Sequence, residues 1–382
     1  MLFSFNRRIS SSLNCGAGNR IQAGPVLRRV KQEICDGRSA TGRGLMRGKG
    51  INYDTGFLPG SHDSRPVFDQ AVVAAEMRVI ARELGCTAVR VSGSKPERIS
   101  VAAQAAAAEG LEVWFAPFPP ELTTAELIGL FRDCADRAEQ LRREGARVVL
   151  VTGCELTLFN PGFLPGANSY DRIARLGKPG PRLYASFARL PKRLNSFLAE
   201  AADAVRCRFG GPLTYAAGTW EPVDWSRFDI VSVDAYRDAS NARTFRPDLR
   251  KQFRHGKPVV ATEYGCCPYA GAADKGGLGW DIADYDDGGV PRLRGEYRRD
   301  ESEQVRYMRE LNQIFAEEGL DLAFWFTFAG YHQPTSTDPR QDVDLASYGL
   351  VSMLPEGPGS GYQGLGWRPR LAFEAMARLK AG

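Results

Sequence analysis

From residue 46 onward, short continuous apolar runs alternate with longer stretches in which apolar residues recur every three or four positions. Continuous Val/Ile/Leu-type runs read as strands buried on both faces of a parallel sheet, and the longer periodic stretches read as amphipathic helices. The runs predict eight strands, at 48–53, 87–92, 111–117, 147–153, 213–218, 229–236, 257–263 and 322–328. Helices are predicted over 67–84, 96–109, 122–144, 183–208, 243–254, 299–318 and 370–380. Only 219–228, between the fifth and sixth strands, is too short for a full helix. Eight such units in about 335 residues predict a (β/α)8 TIM barrel. A doubly wound nucleotide-binding sheet is disfavoured: no GxGxxG follows the first strand and no GxxxxGK[ST] occurs.

Three connections are long, at 154–182, 264–298 and 329–349, and follow the fourth, seventh and eighth strands. Long loops in a compact domain are usually functional, so all three are expected at the catalytic mouth. The second is Gly-rich and carries Trp280, which suits a flap laying an indole over a ligand as well as it suits a solvated excursion.

Charge changes the picture mainly at the start of the chain. The net charge of +5 arises in residues 1–45, which hold seven Arg and one Lys against Glu33 and Asp36; the remainder has 42 basic and 43 acidic residues. Residues 1–45 are therefore read as a basic tail outside the fold, and 46–382 as the barrel domain. A near-neutral body offers no electrostatic footprint for nucleic acid. The opening segment lacks the apolar stretch of a secretory signal, and no run is long enough to span a membrane, so a cytoplasmic location is expected. The eight cysteines are scattered and form no CxxC pair, as expected of buried free thiols, Cys266 and Cys267 included. With three histidines and no calcium-loop pattern around Asp281, Asp284, Asp286 and Asp287, neither a metal nor a cofactor is expected.

The chemistry lies at strand ends. Glu155 closes VVLVTGCE and Glu263 closes PVVATE, so two carboxylates are expected on one barrel mouth. Arg90 ends the second strand, Trp220 follows the fifth, Asp234 and Tyr236 end the sixth, and Trp325 lies in the eighth. Asn52 and Asp54 end the first, where they either shape the turn or meet a sugar hydroxyl. Two carboxylates, an Arg, a Tyr and several Trp suit a pyranose ring, whose apolar faces stack on indole and whose acetal needs a proton donor and a nucleophile.

The order of these elements resembles clan A glycoside hydrolases, retaining (β/α)8 enzymes with cellulase and mannanase relatives. The resemblance spans nearly all of 48–328 and rests on the acid/base glutamate after the fourth strand and the nucleophile after the seventh, matched by Glu155 and Glu263. It rests also on the Arg of the second strand, the Tyr after the sixth and the Trp of the eighth, matched by Arg90, Tyr236 and Trp325. TGCEL is most similar to the GxEL of mannanase-type members. The chain also resembles uncharacterised actinobacterial proteins labelled abortive-infection proteins. One departure is Cys154: many clan members carry Asn there to bond the sugar 2-hydroxyl, and a thiol is a weak donor and acceptor.

The resemblance implies a retaining hydrolase acting on a β-linked glycoside or small oligosaccharide, with Glu263 attacking and Glu155 serving as acid and base. Arg90, Tyr236, Trp220, Trp325, Asn52, Asp234 and Trp280 are the expected substrate-binding residues. Retention requires carboxyls about 5–5.5 Å apart. Two alternatives stand beside it: a non-catalytic carbohydrate-binding or phage-defence barrel, kept open by Cys154, and a transglycosylase using the same site.

Overall fold

The computed structural model describes residues 46–57, 63–178, 180–285 and 291–379. The expected basic tail, His62, Asp286 and Asp287 lie outside the described residues. Eight parallel strands close into a barrel: β1 Gly50–Asp54, β2 Ala88–Gly93, β3 Glu112–Pro117, β4 Val148–Cys154, β5 Leu213–Ala217, β6 Val231–Asp234, β7 Val259–Tyr264 and β8 Leu322–Trp325. Each pairs with its neighbours in sequence, and β8 closes the ring on β1 through Gly50 opposite Phe324. This is the (β/α)8 arrangement that the apolar runs predict.

Alternation along each strand divides the core in two, because successive side chains point to opposite faces. Ala88, Trp114, Val149, Ala216, Val260, Leu322 and Phe324 fill the barrel. Residues of the other parity, such as Val89, Val113, Leu150 and Trp325, pack under the helices. The Trp114 and Phe324 rings meet at 4.9 Å inside the barrel, and position 50 is Gly because a Cβ there would lie 2.4 Å from the Phe324 ring.

The helices between strands include α1 Gln70–Arg82, α2 Pro96–Ala108, α3 Thr124–Arg143, α4 Leu190–Arg206, α5 Phe245–Gln252, α6 Glu301–Glu318 and α7 Leu371–Arg378. Their starts follow local chemistry: Asp69 caps α1, and Thr123 with Glu126 forms a capping box on α3. The single helix expected over 183–208 is two, Pro181–Phe187 and α4, each with a proline in its first turn. The 219–228 connection makes only a 3-10 turn at Trp225–Arg227.

The segment after β8 builds a three-stranded sheet from Ala329–Pro334, Val351–Met353 and Trp367–Pro369. It is tied to the barrel through Glu76 of α1, which accepts from Tyr53, Arg65, Tyr331 and Trp367 at 2.5–3.1 Å, Tyr331 half-buried and the others deep in the core. A buried carboxylate with four donors, one of them a guanidinium, satisfies the rule that buried charge must be paired.

Candidate active site

Both expected catalytic glutamates follow a backbone irregularity. In β4, Val151 and Cys154 oppose Thr214 and Ala216 of β5, so β4 carries one extra residue. In β7, Ala261 and Glu263 oppose Val233 and Asp234 of β6, again one extra. Such bulges bend a strand and re-aim the side chain that follows. Here they turn out the ends of the fourth and seventh strands.

At β4 the turn is sharp. Gly153 has φ +92°, and Glu155 itself adopts a left-handed conformation at φ 43°, ψ 42°. That conformation is costly for a residue with a Cβ and must be held by its surroundings. The Glu155 N–H donates to the Ala216 carbonyl, and its own carbonyl accepts from Leu158 and Phe159, which opens the helical turn Leu156–Phe159. The turn's free N–H groups are met from β5 and its loop: Leu156 N donates to Tyr215 Oη at 2.8 Å and Thr157 N to Glu221 Oε1 at 3.1 Å. Glu221 also accepts from Tyr215 Oη and Gly218 N. Burial pushes the Glu221 carboxyl up to about 7, against these hydrogen bonds. Sequence reading missed Glu221; its only signal is a carboxylate directly after Trp220.

Glu263 is held from two sides. Arg90 Nη1 donates to Oε1 at 2.5 Å, and Tyr236 Oη donates to Oε2 at 3.1 Å. Arg90 is itself fixed by Asn52, whose Oδ1 accepts from Nη1 at 2.8 Å and whose Nδ2 donates to the Thr262 carbonyl at 2.9 Å. A guanidinium and a phenol thus grip one carboxylate. Among the described residues, Glu155 has no cation in contact. Burial, then the negative charges of Asp234, Glu263 and Glu221, push it well above the ordinary carboxylate range. Two acids with opposite environments, one paired with a cation and one whose carboxyl is raised by burial and like charge, are the electrostatic pattern of a nucleophile and a general acid.

The other expected site residues separate into groups. Tyr236 and Asp234 join Glu263, Asp234 through its neighbour Cys154, whose Sγ lies 3.5 Å from Asp234 Oδ2 and 3.6 Å from Glu263 Oε1. Asn52 is buried and holds Arg90, while Asp54 accepts from Gly56 N within the first turn. Trp220 is half-buried against the turn that follows Glu155, its indole donating to Thr157 Oγ1 at 3.0 Å.

Trp325 is a correction. Its ring has 0% exposure, faces the helix layer against Tyr264, and donates to the Tyr348 carbonyl at 3.0 Å, so no substrate can stack on it. The half-buried ring at that strand end is Phe326, which packs edge-on against Tyr348 at 5.7 Å, as does Tyr236 at 6.0 Å.

Trp280 is half-buried on a segment tied down by tyrosines rather than on a free flap. Tyr348 Oη accepts from Gly279 N and donates to the Gly276 carbonyl, and Tyr269 Oη donates to the Gly279 carbonyl. The glycines allow this approach: a Cβ on Gly277 would lie 3.3 Å from the Tyr236 ring.

Among the described residues, the donor atoms of Cys154, Asp234 and Glu263 lie within 4.8 Å of one another, as an ion would require. The positive charge already seated against Glu263 is Arg90, and burial and neighbouring carboxylates raise the Cys154 thiol well above its ordinary range. A guanidinium already ion-paired to one of the three donors disfavours a second cation among them.

No protein-family model and no curated protein sequence matches the chain. Solved structures do. A GH113 β-1,4-mannanase superposes with a TM-score of 0.56 at 14% identity, covering 87% of this chain and 98% of that one. A GH113 β-mannanase from Alicyclobacillus acidocaldarius, in complex with ManMIm, gives 0.51 at 17% identity, with coverages of 89% and 98%. A further GH113 β-1,4-mannanase complex gives 0.52 at 14%, with coverages of 80% and 94%. At these identities the likeness shows the shared (β/α)8 fold.

Proposed function

We propose that the chain is a retaining glycoside hydrolase acting on a β-linked glycoside or small oligosaccharide. The observation that carries this reading is Glu263 gripped by Arg90 and Tyr236 at the end of β7, with proton-holding Glu155 at the end of β4. Glu263 attacks the anomeric carbon while Glu155 donates its proton to the departing oxygen. This gives a glycosyl ester on Glu263 and a neutral leaving group. Glu155, now ionised, takes a proton from water, which attacks the anomeric carbon of the ester, breaks its bond to the Glu263 oxygen and returns Glu263 as carboxylate. Trp220, Tyr236, Phe326 and Trp280 supply the half-buried rings for the sugar faces.

The reading is tested with activated aryl β-glycosides, starting with the mannoside because mannanases are among the proteins sharing this fold. Turnover lost in Glu263→Ala, and restored by azide as a glycosyl azide of inverted configuration, supports it. Sugar binding by calorimetry without turnover of any glycoside favours the non-catalytic barrel instead. Product transferred to an added sugar in preference to water identifies a transglycosylase.

A further inference from the structure

The mechanism above leaves a buried acid beside the nucleophile unused. Asp234 is 2% exposed and ends β6 directly opposite Glu263 of β7. The Cys154 thiol lies 3.5 Å from its Oδ2 and the hydroxyl of neighbouring Thr262 is its other near donor, while among the described residues neither Oδ1 nor that hydroxyl completes a well-formed hydrogen bond. The one guanidinium nearby, Arg90, spends its hydrogen bonds on Asn52 and Glu263, and its Nε is likewise without a partner.

The groups facing Asp234 come from four strand ends: Arg90 from β2, Cys154 and Glu155 from β4, Tyr236 from beyond β6, and Thr262 and Glu263 from β7. That leaves one guanidinium among three carboxyls. A second carboxylate within 4.8 Å of the Glu263 oxygen would repel it at a depth where repulsion is weakly screened. A buried carboxyl whose near donors are a thiol and one hydroxyl, with no cation bonded to it, is also an expensive place for negative charge. A proton removes both costs. Burial and then the Glu263 charge act in that direction, raising Asp234 well above the ordinary carboxylate range.

We propose that Asp234 is a positioning residue for the nucleophile: it keeps its proton in the working enzyme and, with the Cys154 thiol, forms a neutral hydrogen-bonding floor that leaves Glu263 the single ionised carboxylate beside Arg90. This rests on the glycosidase reading only for its purpose; the proton itself is measurable without turnover.

The test has two parts. Infrared difference spectra of the whole protein minus Asp234→Asn at neutral pH should show the C=O band of a protonated carboxyl, shifting in D2O. Loss of a carboxylate pair of bands instead overturns the proposal, whatever the enzyme's substrate. Second, the rate at which an aryl 2-deoxy-2-fluoroglycoside labels Glu263 is compared across variants and pH. Asp234→Asn, which keeps a neutral donor, should label about tenfold or more faster than Asp234→Ala. Its acid limb should stay at the wild-type position. Equal losses in the two variants, or an acid limb lowered by about one pH unit or more in Asp234→Asn, contradict the proposal. Should Asp234→Ala fail to fold, the acid limb of Asp234→Asn and the infrared band still decide it.

Discussion

Arg90 reaches Glu263 at 2.5 Å although their strands, β2 and β7, are separated in the barrel by β1 and β8. The contact spans the barrel interior. Arg90 is 2% exposed in its side chain and Glu263 14%, so the cation lies beneath the carboxylate and leaves it open toward the mouth. A charge-assisted bond in this geometry fixes the carboxylate in place.

Asn52 is the hinge of that arrangement, because it bonds Arg90 with one end of its amide and the β7 backbone with the other. Asn52→Ala should lower stability by about 1–3 kcal/mol by leaving buried polar groups unpaired. It should lower kcat more than it raises KM, since the nucleophile loses its alignment. Urea unfolding and steady-state kinetics check the two effects separately.

Glu155→Gln removes the proton donor. Turnover of glycosides with poor leaving groups should fall by about 10^2–10^4-fold. A dinitrophenyl glycoside, whose leaving oxygen needs no proton, should lose far less in its first step. An equal loss for both substrates would mean that Glu155 does not protonate the leaving group.

Glu221 links the site to pH-dependent stability. It is buried, and burial raises its carboxyl to about 7, above the ordinary carboxylate range. The unfolded chain ionises first as pH rises, so the folded state binds more protons across that interval. Wild-type stability relative to Glu221→Gln should therefore be highest near pH 4.5 or below, and should fall by about 3 kcal/mol by neutral pH. Denaturant unfolding at several pH values measures it; a rising relative stability would contradict the assignment.

The strand ends were legible because a doubly buried strand writes its own hydrophobicity, and the carboxylate ending such a run has few places to go except the mouth. Glu155, Glu263, Arg90 and Tyr236 were found that way. Which parity faces the barrel was not legible, because LAFWF is apolar at every position; hence Trp325 was expected where Phe326 lies. The bonds from Tyr348 to Gly276 and Gly279 join residues about 70 apart, and no local pattern announces them. Asn52 read as a residue that shapes the turn or binds sugar, because its partner, Arg90, is a neighbour only through the register of β1 on β2.

Glu76 tests the sheet that follows β8. Glu76→Ala would strip four donors, Arg65 among them, of a shared acceptor in the core. A loss of about 3–5 kcal/mol is expected, as for other buried charge pairs broken on one side. Denaturant midpoints give the value; a change below about 1 kcal/mol would show that Arg65 finds another partner.

The most direct test of the central claim is the configuration of the sugar first released from a hydrolysed β-glycoside, followed by proton NMR before mutarotation. Attack by Glu263 and then by water predicts the β-anomer first, and a crystal structure should place the Glu155 and Glu263 carboxyls about 5–5.5 Å apart. The α-anomer first would mean that water attacks directly, and Glu263 would then be a base rather than the nucleophile.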